Sequence, residues 1–445
     1  MIAVYTVGVA VLLLTLVVAG VSRTLLWGCV LTTTVAPFPI VYLAEREGSY
    51  VVGVASPEPT ITSFSVAIVA AAVFGLVIYG RPKGTMLVVP ALIAGILGAV
   101  LLWPNELSIE SGAIHFVTSC LAWIVGLAYS VVFSRDAPDR PTLYLLLAVA
   151  LAIALPSWWQ WFQGVGAEDF GDRTGGIFQH PGTTGKVAVI LICIALPMTQ
   201  SADPVARRVA IAVSGFAALG TLPSLSRANV IAVVGITFGW FLLNRTRFRL
   251  RTATSGGLLA IVLAAVFLPP IIDRFRADPE GNDRPELLEA ALRQLPDFWL
   301  FGTGPNSFVQ TISAREPIVA QTGFPVHNSI VLGVMELGAL VVAALVPLAV
   351  ALVSVALAFG NRRRLMKPYS DALLLLILGV VFIGLTGWGM LRQPIPELVL
   401  FACAILWANA KKELETGLGF DTPSASATHP RLDSKGTLHA GTGSD

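Results

Sequence analysis

Charge is what this chain of 445 residues has least of: Asp, Glu, Lys and Arg make up 13% of it, against 55% hydrophobic residues. With a mean hydropathy of +0.77, that composition excludes a soluble globular protein, which has nowhere to bury so much apolar surface. A net charge of +2 with no concentrated basic patch argues against a nucleic-acid partner. Cysteine is scarce as well. Cys29, Cys120, Cys193 and Cys403 all lie in apolar runs, so neither a disulfide framework nor a zinc spacing can be drawn from them. Paired His or Cys spacings are missing, and the acidic residues of the longest polar stretch are scattered. No metal site and no cofactor is therefore expected.

What the sequence has is apolar length. A membrane helix needs ~20 mostly apolar residues, and about thirteen such windows occur. They fall near 2–21, 24–44, 60–80, 84–103, 112–134, 141–161, 184–200, 207–222, 228–244, 252–272, 329–359, 370–390 and 393–410. The first lacks the basic leader of a signal peptide and is followed by further spans, so it reads as a membrane helix. The expected fold is an all-α polytopic membrane protein of about 12–13 transmembrane helices. Residues 1–410 form the membrane domain, and 411–445, rich in Ser, Thr and Gly, form a disordered cytoplasmic tail.

Short loops rich in Arg and Lys stay in the cytoplasm. Arg81/Lys83, Arg135/Arg140, Arg207/Arg208, Arg245 to Arg251, Arg362 to Lys367 and Lys411/Lys412 all fall in alternate loops. The complementary loops, carrying Glu45/Glu47/Glu58, Glu106/Glu110 and Glu168/Asp169/Asp172, are then external. So is the longest polar interruption, about 273–328. Within it Leu287, Leu288, Ala291, Leu292 and Leu295 recur at helical spacing after Pro285, with Glu289 and Arg293 at i, i+4. This predicts an amphipathic helix that either lies on the membrane interface or caps the bundle.

On this topology Arg227, Arg284 and His327 share the external side. His327 stands where the long loop enters a span, a place for a neutral imidazole to take a proton from a hydroxyl; the alternative is a helix-entry residue bonded to backbone. Glu336, further along that helix, is either its buried support or the partner of a neighbouring span. Arg227 follows Ser224-Leu225-Ser226 at the start of a span, where a guanidinium and helix-terminal amides can hold a phosphate, or where an arginine simply snorkels to the headgroups. Arg274, Arg276 and Arg284 lie in the loop, where solvated arginines are ordinary. His180, in Gly175-Gly176-Ile177-Phe178-Gln179-His180-Pro181-Gly182, competes with His327 for any role. The following Thr183-Thr184-Gly185-Lys186 fails as a phosphate loop, because the required earlier glycine is His180 and no strand precedes it. Gly302-Thr303-Gly304 lacks the strand and helix of a dinucleotide site and reads as a turn.

Four segments together resemble the O-antigen ligase and O-antigen polymerase superfamily of polytopic glycosyltransferases. Gly176-Ile177-Phe178-Gln179-His180-Pro181 is similar to its Gly-x-Phe segment, with His-Pro-Gly where the family more often has Asn-Pro-Asn. Ser224-Leu225-Ser226-Arg227 resembles its Ser-x-Ser-Arg element. The stretch from Arg284 to Phe308, ending Phe301-Gly302-Thr303-Gly304-Pro305-Asn306-Ser307-Phe308, resembles its external loop. His327-Asn328-Ser329 with Glu336-Leu337-Gly338 resembles its His-Asn…Glu-Leu-Gly. The likeness covers roughly residues 170 to 345.

The resemblance implies an enzyme of the cytoplasmic (inner) membrane with its site on the external face. It would move a glycan from a polyprenyl diphosphate carrier to a hydroxyl acceptor on a glycan or glycolipid, metal-independent and with inversion. His327 would be the general base, and Arg227 and Arg284 would bind the diphosphate, with Glu336, His180, Arg274 and Arg276 as possible support. Membrane lipids are the remaining partner. A polymerase that extends a lipid-linked glycan is the alternative within the superfamily. A small-solute transporter, which needs polar groups along a path near the bilayer midplane, is the alternative outside it.

Overall fold

A backbone surrounded by apolar side chains satisfies its own polar groups most simply as helix, and helices dominate the computed structural model. It describes residues 63–103, 114–136, 138–164, 173–178, 180–244, 283–357, 367–387, 389–392 and 394–419, the strands at 39–42 and 59–62, and residues 269, 272 and 276. Strands β1 (Pro39–Tyr42) and β2 (Pro59–Thr62) pair antiparallel.

The membrane helices follow in chain order. They are α1 (Ser63–Tyr79), α2 (Val89–Leu97, flanked by single-turn segments), α3 (Ile114–Tyr129), α4 (Arg140–Gln163), α5 (Pro181–Ala195), α6 (Pro204–Thr221) and α7 (Arg227–Leu243). A polar layer holds α8 (Arg284–Phe298), α9 (Phe308–Ile312) and α10 (Pro317–Thr322), and then come α11 (Ser329–Ala344), α12 (Val346–Ala356), α13 (Pro368–Thr386) and α14 (Ile395–Gly419). Local chemistry marks the helix starts. Asp139 caps α4 through the Thr142 amide at 3.2 Å, and Asp203 caps α6 through that of Val205 at 2.9 Å. Pro141, Pro181 and Pro204 sit in first turns, where the missing N–H costs nothing.

Among the described residues, six helices are long and apolar enough to cross a membrane, or seven if α11 and α12, bent by 72° at Leu345, count as one span. The chain is thus a multi-pass membrane protein by the length and composition of its helices, with fewer full spans than the expected thirteen. The differences have local reasons. Windows 60–80 and 228–244 hold shorter apolar helices. Window 329–359 breaks where Pro347 removes a donor in the first turn of α12. Window 393–410 falls on α14, which carries Glu397, Lys411 and Lys412. The end of window 24–44 is the strand β1, one of a short antiparallel pair beside an otherwise all-helical architecture. Window 2–21 and most of 252–272 lie outside the described residues. Helix α14 continues to Gly419, past the point where the tail was expected to begin; residues 420–445 lie outside the described residues.

Helix α5 is the centre of the bundle, packed against α4, α6, α7, α13 and α14. The bundle has two distinct ends. At one, Arg140 meets Asp203 at 2.8 Å, Arg135 meets Glu413 at 3.8 Å, and the Tyr369 hydroxyl donates to the Phe133 carbonyl. At the other lie the starts of α5, α7 and α11 and the turn between α13 and α14.

The amphipathic helix is α8. Its Leu287, Ala290 and Ala291 are buried with Phe308, Ile312, Val319, Val326, Leu332 and Met335. Leu287 and Ala291 of the predicted stripe thus pack on protein, against α11, while Leu292 is exposed. Glu289 and Arg293 pair at 2.7 Å as their spacing predicts, and Arg293 also reaches Glu316 at 2.8 Å, tying α8 to α10.

Candidate active site

The glycine-rich segment before α5 is held on three sides. Gln160 of α4 accepts from the Gly176 amide at 2.8 Å and donates to its carbonyl at 2.9 Å. The Thr184 hydroxyl donates to the Gly175 carbonyl at 2.7 Å. Arg173 Nε and the Thr174 amide donate to the carbonyls of Ser224 and Pro223, at 3.1 and 3.2 Å. Gly176 sits at φ +61, and a Cβ there would lie 2.3 Å from the Ser157 hydroxyl, so only glycine fits. The start of α7 is docked beside it. Asn229, two residues after Arg227, donates to the Gly182 carbonyl at 2.9 Å in the space that Gly185 leaves.

His180 and Lys186 follow from this anchoring. His180 caps α5, its Nδ1 accepting from the Gly182 amide at 3.0 Å. That bond uses one ring nitrogen as an acceptor, and burial pushes the ring's pKa down to about 3, with Lys186, Arg173, Arg392 and His327 adding repulsion. With its Nδ1 committed to the cap, His180 is placed as the residue that starts α5 beside His327 and Lys186. Lys186, one helical repeat on from Gly182, is only 7% exposed. A Cβ on Gly389, in the turn between α13 and α14, would lie 2.2 Å from its Nζ, and one on Gly182 3.7 Å away. The ammonium is thus seated between two glycines, and no described residue gives it an ion pair or a hydrogen bond. The charges acting on it are Arg392 and Arg173.

His327 reaches the same end from α11. Asn328 caps that helix, accepting from the amides of Ile330 and Val331 at 3.0 and 3.2 Å, and the Ser329 hydroxyl donates to the Gly387 carbonyl at 2.5 Å. This fixes the backbone just after His327 and just before Gly389. The imidazole packs edge-on to Phe324 and its Nδ1 is buried with no hydrogen-bond partner. Burial pushes its pKa down to about 4, helped by Arg284 and Lys186 and opposed by the Pro325 carbonyl. A neutral imidazole with a vacant nitrogen, between cations, is set to accept a proton once an anion offsets the neighbouring charge.

Glu336 serves elsewhere. It is 8% exposed, its carboxylate accepts from the Phe308 amide at 3.2 Å, and its carbonyl accepts from the Gly304 amide at 2.9 Å. Gly302 (φ +77) and Gly338 (φ +73) lie back to back. A Cβ on Gly302 would come within 2.3 Å of the Glu336 carbonyl oxygen, and one on Gly338 within 2.4 Å of the Phe301 carbonyl carbon. The segments Phe301–Phe308 and Glu336–Gly338, which the sequence offers as separate elements, are the two halves of one staple holding the polar layer to α11.

His180, Lys186 and His327 thus lie at one end of the bundle, where Arg173, Arg284 and Arg392 act on their charge. Arg227 opens α7 at the same end, partly buried, but is not among the charges acting on His180, Lys186 or His327. Arg276 is exposed, and Arg274 lies outside the described residues. Sequence reasoning missed Lys186, Arg173 and Arg392. A signal existed for Lys186: it falls inside window 184–200, and an ionisable group within a span is a functional candidate by default. Beside the cluster, an apolar groove of about 260 Å³ begins at Ser329, Met390 and Leu391 and runs between Val380, Val381 and Leu400. No family model matches the chain, and no curated protein is detectably similar to it.

Proposed function

We propose that this membrane protein is a glycosyltransferase of the O-antigen ligase type, moving a glycan from a polyprenyl diphosphate to a hydroxyl on the external face of the cytoplasmic membrane. The observation that carries the reading is the His327 imidazole, its buried Nδ1 without a hydrogen-bond partner, at the start of α11, which Ser329 ties to Gly387 close to the Lys186 ammonium at Gly389. A lone charge near a membrane helix end is ordinary; an imidazole with an unbonded nitrogen at the same end as basic side chains is what transfer from an anionic leaving group needs.

In the proposed reaction the acceptor oxygen attacks the anomeric carbon as its proton passes to His327. The bond from that carbon to the phosphate oxygen breaks, and the diphosphate leaves with the electron pair. Arg284 and Arg227 take up its charge, and a single displacement inverts the anomeric centre. The polyprenyl chain stays in the bilayer, for which the apolar groove beside the cluster is an exit of matching polarity.

The test is transfer by the purified protein, reconstituted in vesicles, from a defined lipid-linked oligosaccharide. Glycosylated acceptor and free polyprenyl diphosphate are expected in equal amounts. Lengthening of the carrier-linked glycan instead identifies the polymerase reaction, and solute flux without lipid-linked sugar contradicts both.

A further inference from the structure

Helix α8 carries two apolar faces, where packing on α11 needs one. At about 3.6 residues per turn, Leu287, Ala290 and Ala291 form the face buried on protein. Leu288, Leu292, Leu295 and Trp299 follow one another at i, i+4, i+7 and i+11 along the neighbouring flank. Leu288 and Leu295 are half-buried at the edge of that core, while Leu292 and Trp299 are 49% and 51% exposed. Glu289, Arg293 and Asp297 take the other side of the helix, where Arg293 reaches Glu316 at 2.8 Å and Arg315 reaches Asp297 at 2.6 Å. A helix that leaves large apolar side chains uncovered while its charges turn the other way has the form of one lying on a lipid surface.

Backbone bonds fix the level of this flank. The carbonyls of Trp299 and Leu300 accept from the amides of Ala339 and Leu340 in α11, at 2.6 and 3.4 Å. The Phe301 carbonyl accepts from the Trp103 indole at 3.0 Å. Trp103 directly follows the apolar span Thr85–Leu102, so Phe301 stands level with the end of a membrane-crossing helix. Phe301 is 46% exposed, and the residues beside these attachment points, Leu101 and Leu102 before Trp103 and Leu340 on α11, are exposed apolar side chains as well. The open flank of α8 thus continues the lipid-facing wall of the bundle at the depth where hydrocarbon meets headgroups, the level that tryptophan favours.

We propose that α8 is seated in the membrane leaflet at this end of the bundle, with phospholipid covering Leu292, Trp299 and Phe301. Uncovered apolar patches serve protein partners as well as membranes; the continuity with α2 and α11 selects lipid. The polar layer is then held from two sides, by protein through the staple at Gly302 and Gly338 and by the bilayer through α8. This assignment is independent of the transferase reading.

The experiment is site-directed spin labelling of the full-length protein in phosphatidylcholine and phosphatidylglycerol vesicles, with the four native cysteines replaced by alanine and one new cysteine introduced at a time. Labels at Leu292→Cys, Trp299→Cys and Phe301→Cys are expected to collide more with oxygen, which partitions into lipid, than with a water-soluble nickel chelate. At Glu289→Cys and Asp297→Cys the order should reverse. Nickel access at the first three equal to that at Glu289→Cys overturns the proposal. Shielding of the first three from both reagents overturns it too, and spin–spin broadening then identifies a second copy as the cover. Should the cysteine-free chain fold poorly, p-benzoylphenylalanine in place of Leu292, Phe301 or Glu289 in the otherwise native chain gives the same answer. Irradiation should yield phospholipid adducts at the first two positions and not at the third, and no adduct at any of them overturns the lipid contact.

Discussion

The two ends of the helix bundle handle charge in opposite ways. Where α4 and α6 start, Arg140 has Asp203 and Arg135 has Glu413; where α5, α7 and α11 start, the charges acting on His180, Lys186 and His327 are all cationic. The first end holds oppositely charged pairs. The second groups basic side chains and two histidines on a frame of glycine contacts and backbone bonds. On the proposed function, the second end is where the lipid diphosphate binds.

Substitutions at the cationic end should therefore damage function while leaving the fold intact. His327→Ala has the largest expected effect, a fall in transfer of about 10²–10⁴-fold, the usual contribution of a general base, with unchanged thermal unfolding of the purified protein. Arg284→Ala and Arg227→Ala should each weaken lipid diphosphate binding by about 10- to 100-fold, one charge-assisted contact, measured as affinity for the carrier; unchanged affinity removes that arginine from the pocket. The staple should behave in the opposite manner. Gly338→Ala, forced to φ +73 against the Phe301 backbone, should cost about 1–3 kcal/mol from backbone strain alone, read by thermal unfolding. Glu336→Gln retains an oxygen for the Phe308 amide and should keep its transfer rate; a rate collapse with normal unfolding would make Glu336 a chemical participant.

Two smaller effects sharpen the contrast. With the His327 pKa held down to about 4 in the free protein, the base form is already complete above about pH 5. The acid limb of kcat/KM should then fall well below the ordinary histidine range near 6.5. Removing a positive neighbour in Arg284→Gln raises that pKa, so the limb should move to higher pH. At the end with oppositely charged pairs, Arg140→Ala breaks a pair whose arginine is exposed, and should change neither transfer nor unfolding measurably.

Much of this frame was legible in the chain. Runs such as 112–134 and 141–161 mark α3 and α4 because apolar length has few other meanings, and Leu287, Leu288 and Ala291 mark α8 through their spacing. His327 stood out as the histidine ending the long polar stretch. The missed features depend on partners distant in sequence. Gly302 reads as a turn, but its need for glycine comes from Gly338, which approaches only after α11 has packed. The bend at Leu345 is set by Pro347 within a run that hydropathy sees as continuous. Lys186 follows what spells a failed phosphate loop; the space its head occupies is left by Gly389, supplied by a turn at the far end of the chain. Arg173 and Arg392 look like ordinary loop arginines until the helices bring them to α5.

The most direct test is a transfer assay in vesicles that compares wild type with His327→Ala, supplying lipid-linked oligosaccharide and a hydroxyl acceptor. The account predicts that wild type glycosylates the acceptor with release of polyprenyl diphosphate, and that the folded variant does so at a small fraction of that rate. Transfer by the variant at the wild-type rate would contradict it.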